Sequence, residues 1–142
     1  MMKDSKGQIS LEYLLIFSVS LILLIIFTLP LSQYAIEGTL DVYDTLEIKS
    51  DMSKISQAVE KVYGQGQGSK QTLSIESSRD LKITIAENYI SSTVKLKDST
   101  TKTEKIYYKS TLKKSNLYID KGVNSIVVEW PANSENMQIY VE

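Results

Sequence analysis

Apolar positions fall into three patterns along the chain, and each predicts a different element. From Ile9 to Leu31 almost every position is apolar or a small hydroxyl residue, and Glu12 is the single formal charge. As a helix this run is about 34 Å long at ~1.5 Å per residue, enough to cross a hydrocarbon core of about 30 Å. The core helix of a soluble domain carries an apolar stripe and a polar reverse face. This run has no polar face, so it predicts a membrane span over 8–31. Over residues 32–63 the apolar positions thin to stripes. Ile48, Met52, Ile55, Val59 and Val62 recur at spacings of four, three, four and three, the period of an amphipathic helix. Ile36, Leu40 and Tyr43 form a second stripe, and the twelve residues from Ile36 to Ile48 turn it by about 120° at ~100° per residue. The upper stripe is expected to cover a domain and the lower one to face neighbouring chains. The alternative is one irregular stripe against one domain.

Pro30 sits between these patterns. Inside a helix it removes one backbone hydrogen bond and clashes with the preceding turn. Leu31, Tyr34 and Ala35 sustain helical character, and no Gly or Asn cap intervenes. One continuous helix with a kink near Pro30 is therefore expected, rather than two helices.

Beyond residue 63 the period changes. Gly64-Gln-Gly-Gln-Gly-Ser69 has three glycines in five residues and reads as a flexible linker over 64–70. Alternating segments follow at Leu73–Ile75, Leu81–Ile85 and Ile90–Leu96, and Glu104–Lys109, Asn116–Ile119, Ser125–Trp130 and Met137–Val141 add further strand candidates. Ser77–Asp80, Lys97–Thr100, Asp120–Gly122 and Pro131–Ser134 are turn-like breaks between them. Such spacing predicts an antiparallel meander of about five to seven strands over 71–142. One small sheet buries one face, and the amphipathic helix is its natural cover. The expected fold class is α+β, a long N-terminal helix packed on an antiparallel β head.

Glu12 is the anomaly in the apolar run. A carboxylate costs roughly 2.5–3.5 kcal/mol at the bilayer centre and less near the interface, so it either stays hydrated at the headgroups or finds a partner. Gly7-Gln8-Ile9-Ser10-Leu11-Glu12, followed by a long apolar helix, resembles the class III signal peptide of archaeal type IV pilin-like proteins. That family carries a short basic leader, then Gln-x-Ser-x-Glu, then the apolar segment. The resemblance implies a processing motif of Gln8, Ser10 and Glu12. It further implies cytoplasmic cleavage by a prepilin peptidase between Gly7 and Gln8, which would release residues 1–7 as leader. Pro30, twenty-two residues after Gln8, resembles the proline that kinks pilin stalks. The resemblance also implies that Glu12 pairs, in the assembled filament, with the α-amine freed at Gln8 of an adjacent subunit. It covers the stalk and leaves the head unassigned.

The competing readings of the N-terminus are a secretory signal and an uncleaved anchor. A secretory signal has a shorter apolar core and a small-x-small site after it, and Leu29-Pro30-Leu31-Ser32-Gln33 fits poorly. Topology is the same in each case. Lys3 and Lys6 precede the span, whereas Glu37, Asp41, Asp44 and Glu47 follow it before the first basic residue, Lys49. The positive-inside rule puts the N-terminus in the cytoplasm and the C-terminal domain outside.

Charge and composition then exclude more than they assign. The chain has net charge −1, and without residues 1–7 it has 14 basic against 16 acidic residues. No nucleic-acid footprint follows from that balance. There is no cysteine for a disulfide and no histidine, the commonest general base and metal ligand. No catalytic residue, metal site or cofactor is expected, and Gly64–Lys70 lacks the strand and helix that flank a phosphate loop. Asp41, Asp44, Glu47 and Asp51 share helical spacing and read as a solvated acidic face rather than a cation site, which needs six to eight oxygens. Lys95, Lys97, Lys102, Lys105, Lys109, Lys113 and Lys114, with Tyr107, Tyr108 and Tyr118, give the strands a basic tendency. Polyanion binding is one reading, and the wet face of a sheet with protected edges is the expected one. The chain has no Asn-x-Ser/Thr acceptor for N-glycosylation. The expected function is a major or minor pilin of a surface filament, with prepilin peptidase and other subunits as partners. The alternative is an anchored extracellular adhesion or binding protein that does not polymerise; an enzyme is not expected.

Overall fold

A computed structural model describes residues 5–142, with side chains from Ser10 onward. Helix α1 runs from Ser5 to Gln65, and its assignment continues through Pro30 without a break. Two units divide the chain between Leu40 and Asp41. Among the described residues of the first unit α1 is the only element, and Ser18 Oγ donates to the Leu14 carbonyl at 2.8 Å. That bond satisfies a hydroxyl within the helix itself, as an apolar surrounding requires.

In the second unit the remainder of α1 packs on seven strands. These are β1 (Lys70–Ser77), β2 (Leu81–Ile85), β3 (Tyr89–Lys95), β4 (Thr101–Tyr107), β5 (Ser115–Ile119), β6 (Gly122–Glu129) and β7 (Gln138–Val141). Each answers to one of the strand candidates of the sequence. Their pairing differs from the expected single meander. β1-β6-β7 make one antiparallel sheet and β4-β3-β2-β5 make another.

The physical reason for two sheets lies in two neighbouring turns. The chain leaves β1 through Ser77–Asp80 to start the second sheet, and returns through Asp120–Lys121 to pair Gly122 with Ser77. Asp80 Oδ1 accepts the Lys121 N–H at 2.8 Å, which ties one turn to the other. Asn124 Nδ2 donates to the carbonyls of Asp120 at 2.6 Å and Gly122 at 3.0 Å. Gly122, at φ +112°, adopts a backbone conformation that side chains disfavour.

The core lies where α1 meets both sheets. Ile48, Met52, Ile55, Val59 and Val62 are at most 2% exposed. They pack with Ile75, Ile126 and Val128 of the first sheet, and with Ile83, Ile85, Ile90 and Ile119 of the second. Ile36, Leu40 and Tyr43 stay exposed, so the upper stripe covers the head and the lower one is not part of that core.

The glycine-rich segment after α1 is held by hydrogen bonds. Gly66, at φ +84°, donates its N–H to the Val62 carbonyl at 3.0 Å, and Ser69 Oγ donates to the same carbonyl at 3.0 Å. The left-handed glycine ends the helix in the usual manner of a C-terminal cap. Gly68 N–H donates to Trp130 O and Trp130 N–H to Ser69 O, at 2.6 and 2.9 Å. Trp130 stacks on Tyr63 with ring centroids 5.8 Å apart.

Candidate functional site

The apolar run is displayed along its whole length. Large apolar side chains from Leu11 to Leu31 are 45–69% exposed. The most apolar 18-residue window of α1 has a mean hydropathy of 2.8, and none of it is buried. Monomeric soluble proteins rarely expose a contiguous apolar patch beyond a few hundred square ångströms. A surface this continuous is stable only in lipid, in detergent or against other apolar helices.

Of the residues singled out by the motif, Ser10 and Glu12 are exposed on α1. Gly7 and Gln8 belong to the first turns of the helix, and their side chains lie outside the described residues. Glu12 is flanked by Leu11 and Tyr13, 65% and 69% exposed. Its carboxylate is thus carried on the outside of an apolar rod. Pro30 is inside the helix, within the exposed run.

The acidic residues at the start of the second unit are not a solvated face. Asp41 accepts the Lys97 N–H at 3.1 Å, in the turn between β3 and β4. Asp44 makes an ion pair with Arg79, and Glu47 accepts from Ser78 N–H at 3.3 Å and Ser78 Oγ at 2.8 Å. Asp51 is 2% exposed and receives Lys54 Nζ at 3.0 Å. Three of the four carboxylates therefore fasten the sheet turns to α1. Helical spacing alone cannot reveal this, because the turns that dock on the carboxylates come thirty or more residues later. Among the described residues no group of three or more acidic side chains is arranged to hold a metal ion. A cleft of about 840 Å³ opens beside Asp51, lined also by Tyr43, Glu47, Lys54, Ser78 and Lys121.

The basic and tyrosine-rich strands also sort differently from their sequence order. Tyr108 is 5% exposed, and its hydroxyl donates to the Ala86 carbonyl at 2.8 Å. Burial pushes that hydroxyl well above the ordinary tyrosine pKa. Lys102 turns to Glu104 at 2.9 Å and holds its carboxyl below the usual range. Tyr107 and Tyr118 are 69% and 63% exposed. The register puts them on the outer face of the four-stranded sheet with Tyr89, Lys82, Lys95 and Lys105. Composition does not single out Lys82; its strand partner Tyr118 reveals it. On the same face Thr93 and Thr103 Oγ1 atoms are 3.2 Å apart, and Thr84 Oγ1 donates to Asn116 Oδ1 at 3.2 Å.

Residues 5–31 match the family model described as class III signal peptide. No curated protein and no solved structure matches the chain. The match begins before the Gln8-Ile9-Ser10-Leu11-Glu12 segment and ends at the last residue of the apolar run. The resemblance drawn from that segment is borne out for the signal peptide, and the α+β architecture agrees with it.

Proposed function

We propose that this chain, a type IV pilin-like protein by its class III signal peptide and α+β head, is a structural subunit of an archaeal type IV pilus-like surface filament. It serves there as a major or minor pilin. A prepilin peptidase cuts between Gly7 and Gln8 on the cytoplasmic side. The protein then waits in the membrane with its head outside. The observation that carries this reading is a signal-peptide match lying on an apolar helix whose large side chains, from Leu11 to Leu31, are 45–69% exposed. Lipid covers that surface first, and neighbouring helices replace lipid as subunits enter the filament. Ile36, Leu40 and Tyr43, exposed beyond the span, extend the contact surface toward the head.

Glu12 supplies the control over timing. A carboxylate within a helix bundle needs an opposite charge and hydrogen bonds to be tolerated. The α-amine of Gln8 in an adjacent subunit provides them, and that amine exists only after cleavage. An uncut subunit would bring Glu12 into the bundle unpaired. Cleavage thereby licenses assembly.

Mass spectrometry of the protein purified from membranes tests the first step. The expected mature chain begins at Gln8; a mass lower by one ammonia would mean a cyclised glutamine and would remove the proposed ion pair. Gly7→Val is expected to abolish processing, and normal maturation of that variant would refute the cut site. Glu12→Ala is expected to be processed but stranded in the membrane, without filaments in negative-stain micrographs. Wild-type filament yield from Glu12→Ala would refute the pairing. A chain that keeps Met1 or Met2 and never self-associates would instead be an anchored, non-polymerising protein.

A further inference from the structure

The outer face of the four-stranded sheet carries charge of one sign. Alternation along β2, β3, β4 and β5 turns Lys82, Lys95 and Lys105 outward. No Asp or Glu occupies an outward position on these strands; Glu104, the only acidic residue within them, pairs with Ser92 on the inner side. In a chain with net charge −1, this separates positive charge onto one flat surface. Outward hydroxyl and amide groups from Thr84, Thr93, Thr103 and Asn116 fill the positions between the lysines. An ordinary wet sheet face mixes both signs across its strands, because opposite charges directly across from one another stabilise it. This one does not.

We propose that this face binds an acidic polysaccharide, a polymer carrying carboxylates on hydroxyl-rich rings. Three features select that class. The lysines give carboxylates three ammonium partners at different strand positions. The hydroxyl-bearing rows between them can exchange hydrogen bonds with sugar hydroxyls. Tyr107, 69% exposed at the end of β4, offers a ring for the apolar face of a sugar. Single-stranded nucleic acid is the other polyanion to consider, and it gains most from several aromatic rings on which successive bases stack. Here Lys105 Nζ lies 5.2 Å from the centroid of Tyr89, and Lys82 Nζ lies 5.7 Å from that of Tyr118. An ammonium thus already stands over a face of each of those two rings. Tyr89 also meets the Tyr107 ring at 6.0 Å with a 59° tilt, an arrangement that breaks up any parallel stack. The single arginine, Arg79, is engaged by Asp44 and cannot grip phosphate from this face.

The proposal relies on the head lying outside the membrane, as proposed above, for its biological setting. The binding itself is independent of cleavage and assembly. The test uses the full chain in detergent micelles, immobilised through a tag, with polygalacturonate as probe. Neutral dextran and a single-stranded oligothymidylate of similar length serve as comparisons. Wild type is expected to bind polygalacturonate at low salt, to release it as salt rises, and to ignore dextran. Lys82→Gln with Lys105→Gln is expected to weaken binding about tenfold, near the upper end of what two exposed ion pairs supply. Lys113→Gln with Lys114→Gln, in the loop before β5, is expected to leave binding unchanged. Tyr107→Ala is expected to weaken binding about threefold without changing its salt dependence. Equal loss from both lysine pairs, or no loss from the first, would overturn the assignment to this face. Oligothymidylate bound as tightly as polygalacturonate would overturn the choice of ligand. The mature N-terminus and filament yield report on the pilin reading separately, so either idea can fail alone.

Discussion

Two stretches of α1 are rich in the same side chains and meet opposite fates. Between Leu11 and Leu31 the large apolar residues are 45–69% exposed, while Ile48, Met52, Ile55, Val59 and Val62 are at most 2% exposed. Apolar content does not separate these fates, since the first stretch is the more apolar of the two. What separates them is the polar residues. The upper stretch alternates its stripe with Lys, Asp, Ser and Glu, so only one face seeks cover and the two sheets supply it. The lower stretch seeks cover on every side, which no small sheet can provide. An amphipathic helix is finished by its own chain, whereas an all-apolar helix requires a partner phase.

That contrast is sharpest under truncation of a buried side chain. Ile55→Ala in the upper stretch removes methyl and methylene groups from a fully buried site. It is expected to cost about 2–5 kcal/mol, the usual range for an isoleucine-to-alanine change in a core. Chemical denaturation of the full chain in detergent, followed by the fluorescence of the single tryptophan, Trp130, measures it. A loss under about 1 kcal/mol would mean that the helix does not carry the head's core.

Much of this arrangement was legible in the sequence. The stripe from Ile48 to Val62 named its buried face correctly, because a period of 3.6 residues leaves one solution for an apolar stripe. The first three strands are legible from alternation and the other four as apolar segments between turn-like breaks. Alternation says which face of a strand is buried, but not which strand lies beside it. The pairing of β1 with β6 and of β2 with β5 is set by long-range geometry, and so the sequence alone suggests one meander where there are two sheets. The acidic row failed for a related reason: Asp41, Asp44 and Glu47 look solvated until distant turns arrive to accept their grip. In the sequence Tyr108 groups with Tyr107 and Tyr118 by its nearness to the lysines, yet it is buried just after the end of β4. Beyond a strand end, alternation no longer predicts direction with respect to the core. The signal peptide is legible only through resemblance to a known family, carried by Gln8, Ser10 and Glu12 before the apolar run. The outer sheet face needed the register, since only strand pairing brings Lys82 next to Tyr118.

A smaller effect probes the polar part of the head's interior. Tyr108 has its pKa raised above the ordinary value of 10.0, chiefly by burial. The folded state therefore holds its proton where the unfolded chain has begun to lose it. The stability contributed is complete below the unfolded pKa and declines as pH rises through and beyond about 10. Tyr108→Phe is expected to cost about 1 kcal/mol at neutral pH, for the lost hydrogen bond to Ala86. The variant should also flatten the alkaline decline relative to wild type. Parallel alkaline profiles for the two proteins would show that Tyr108 titrates as an exposed tyrosine does.

The smallest expected effect on the head is the most informative about the other stretch. Leu23 is 49% exposed and has no part in the buried core that closes over α1. In detergent, Leu23→Ala should leave the Trp130 unfolding midpoint within about 0.5 kcal/mol of wild type, as for a surface site without special features. Assembly should respond instead. If neighbouring helices cover this side chain in the filament, truncation removes contacts made only between subunits, and filament yield in micrographs should fall while processing to Gln8 stays normal. Neither readout alone is enough. A shifted midpoint would tie the lower stretch to the head's stability and erase the difference between the two stretches. An unchanged midpoint with unchanged filaments would mean that Leu23 faces lipid or solvent in both states. Stable heads with scarce filaments are expected only if the apolar helix is completed by copies of itself.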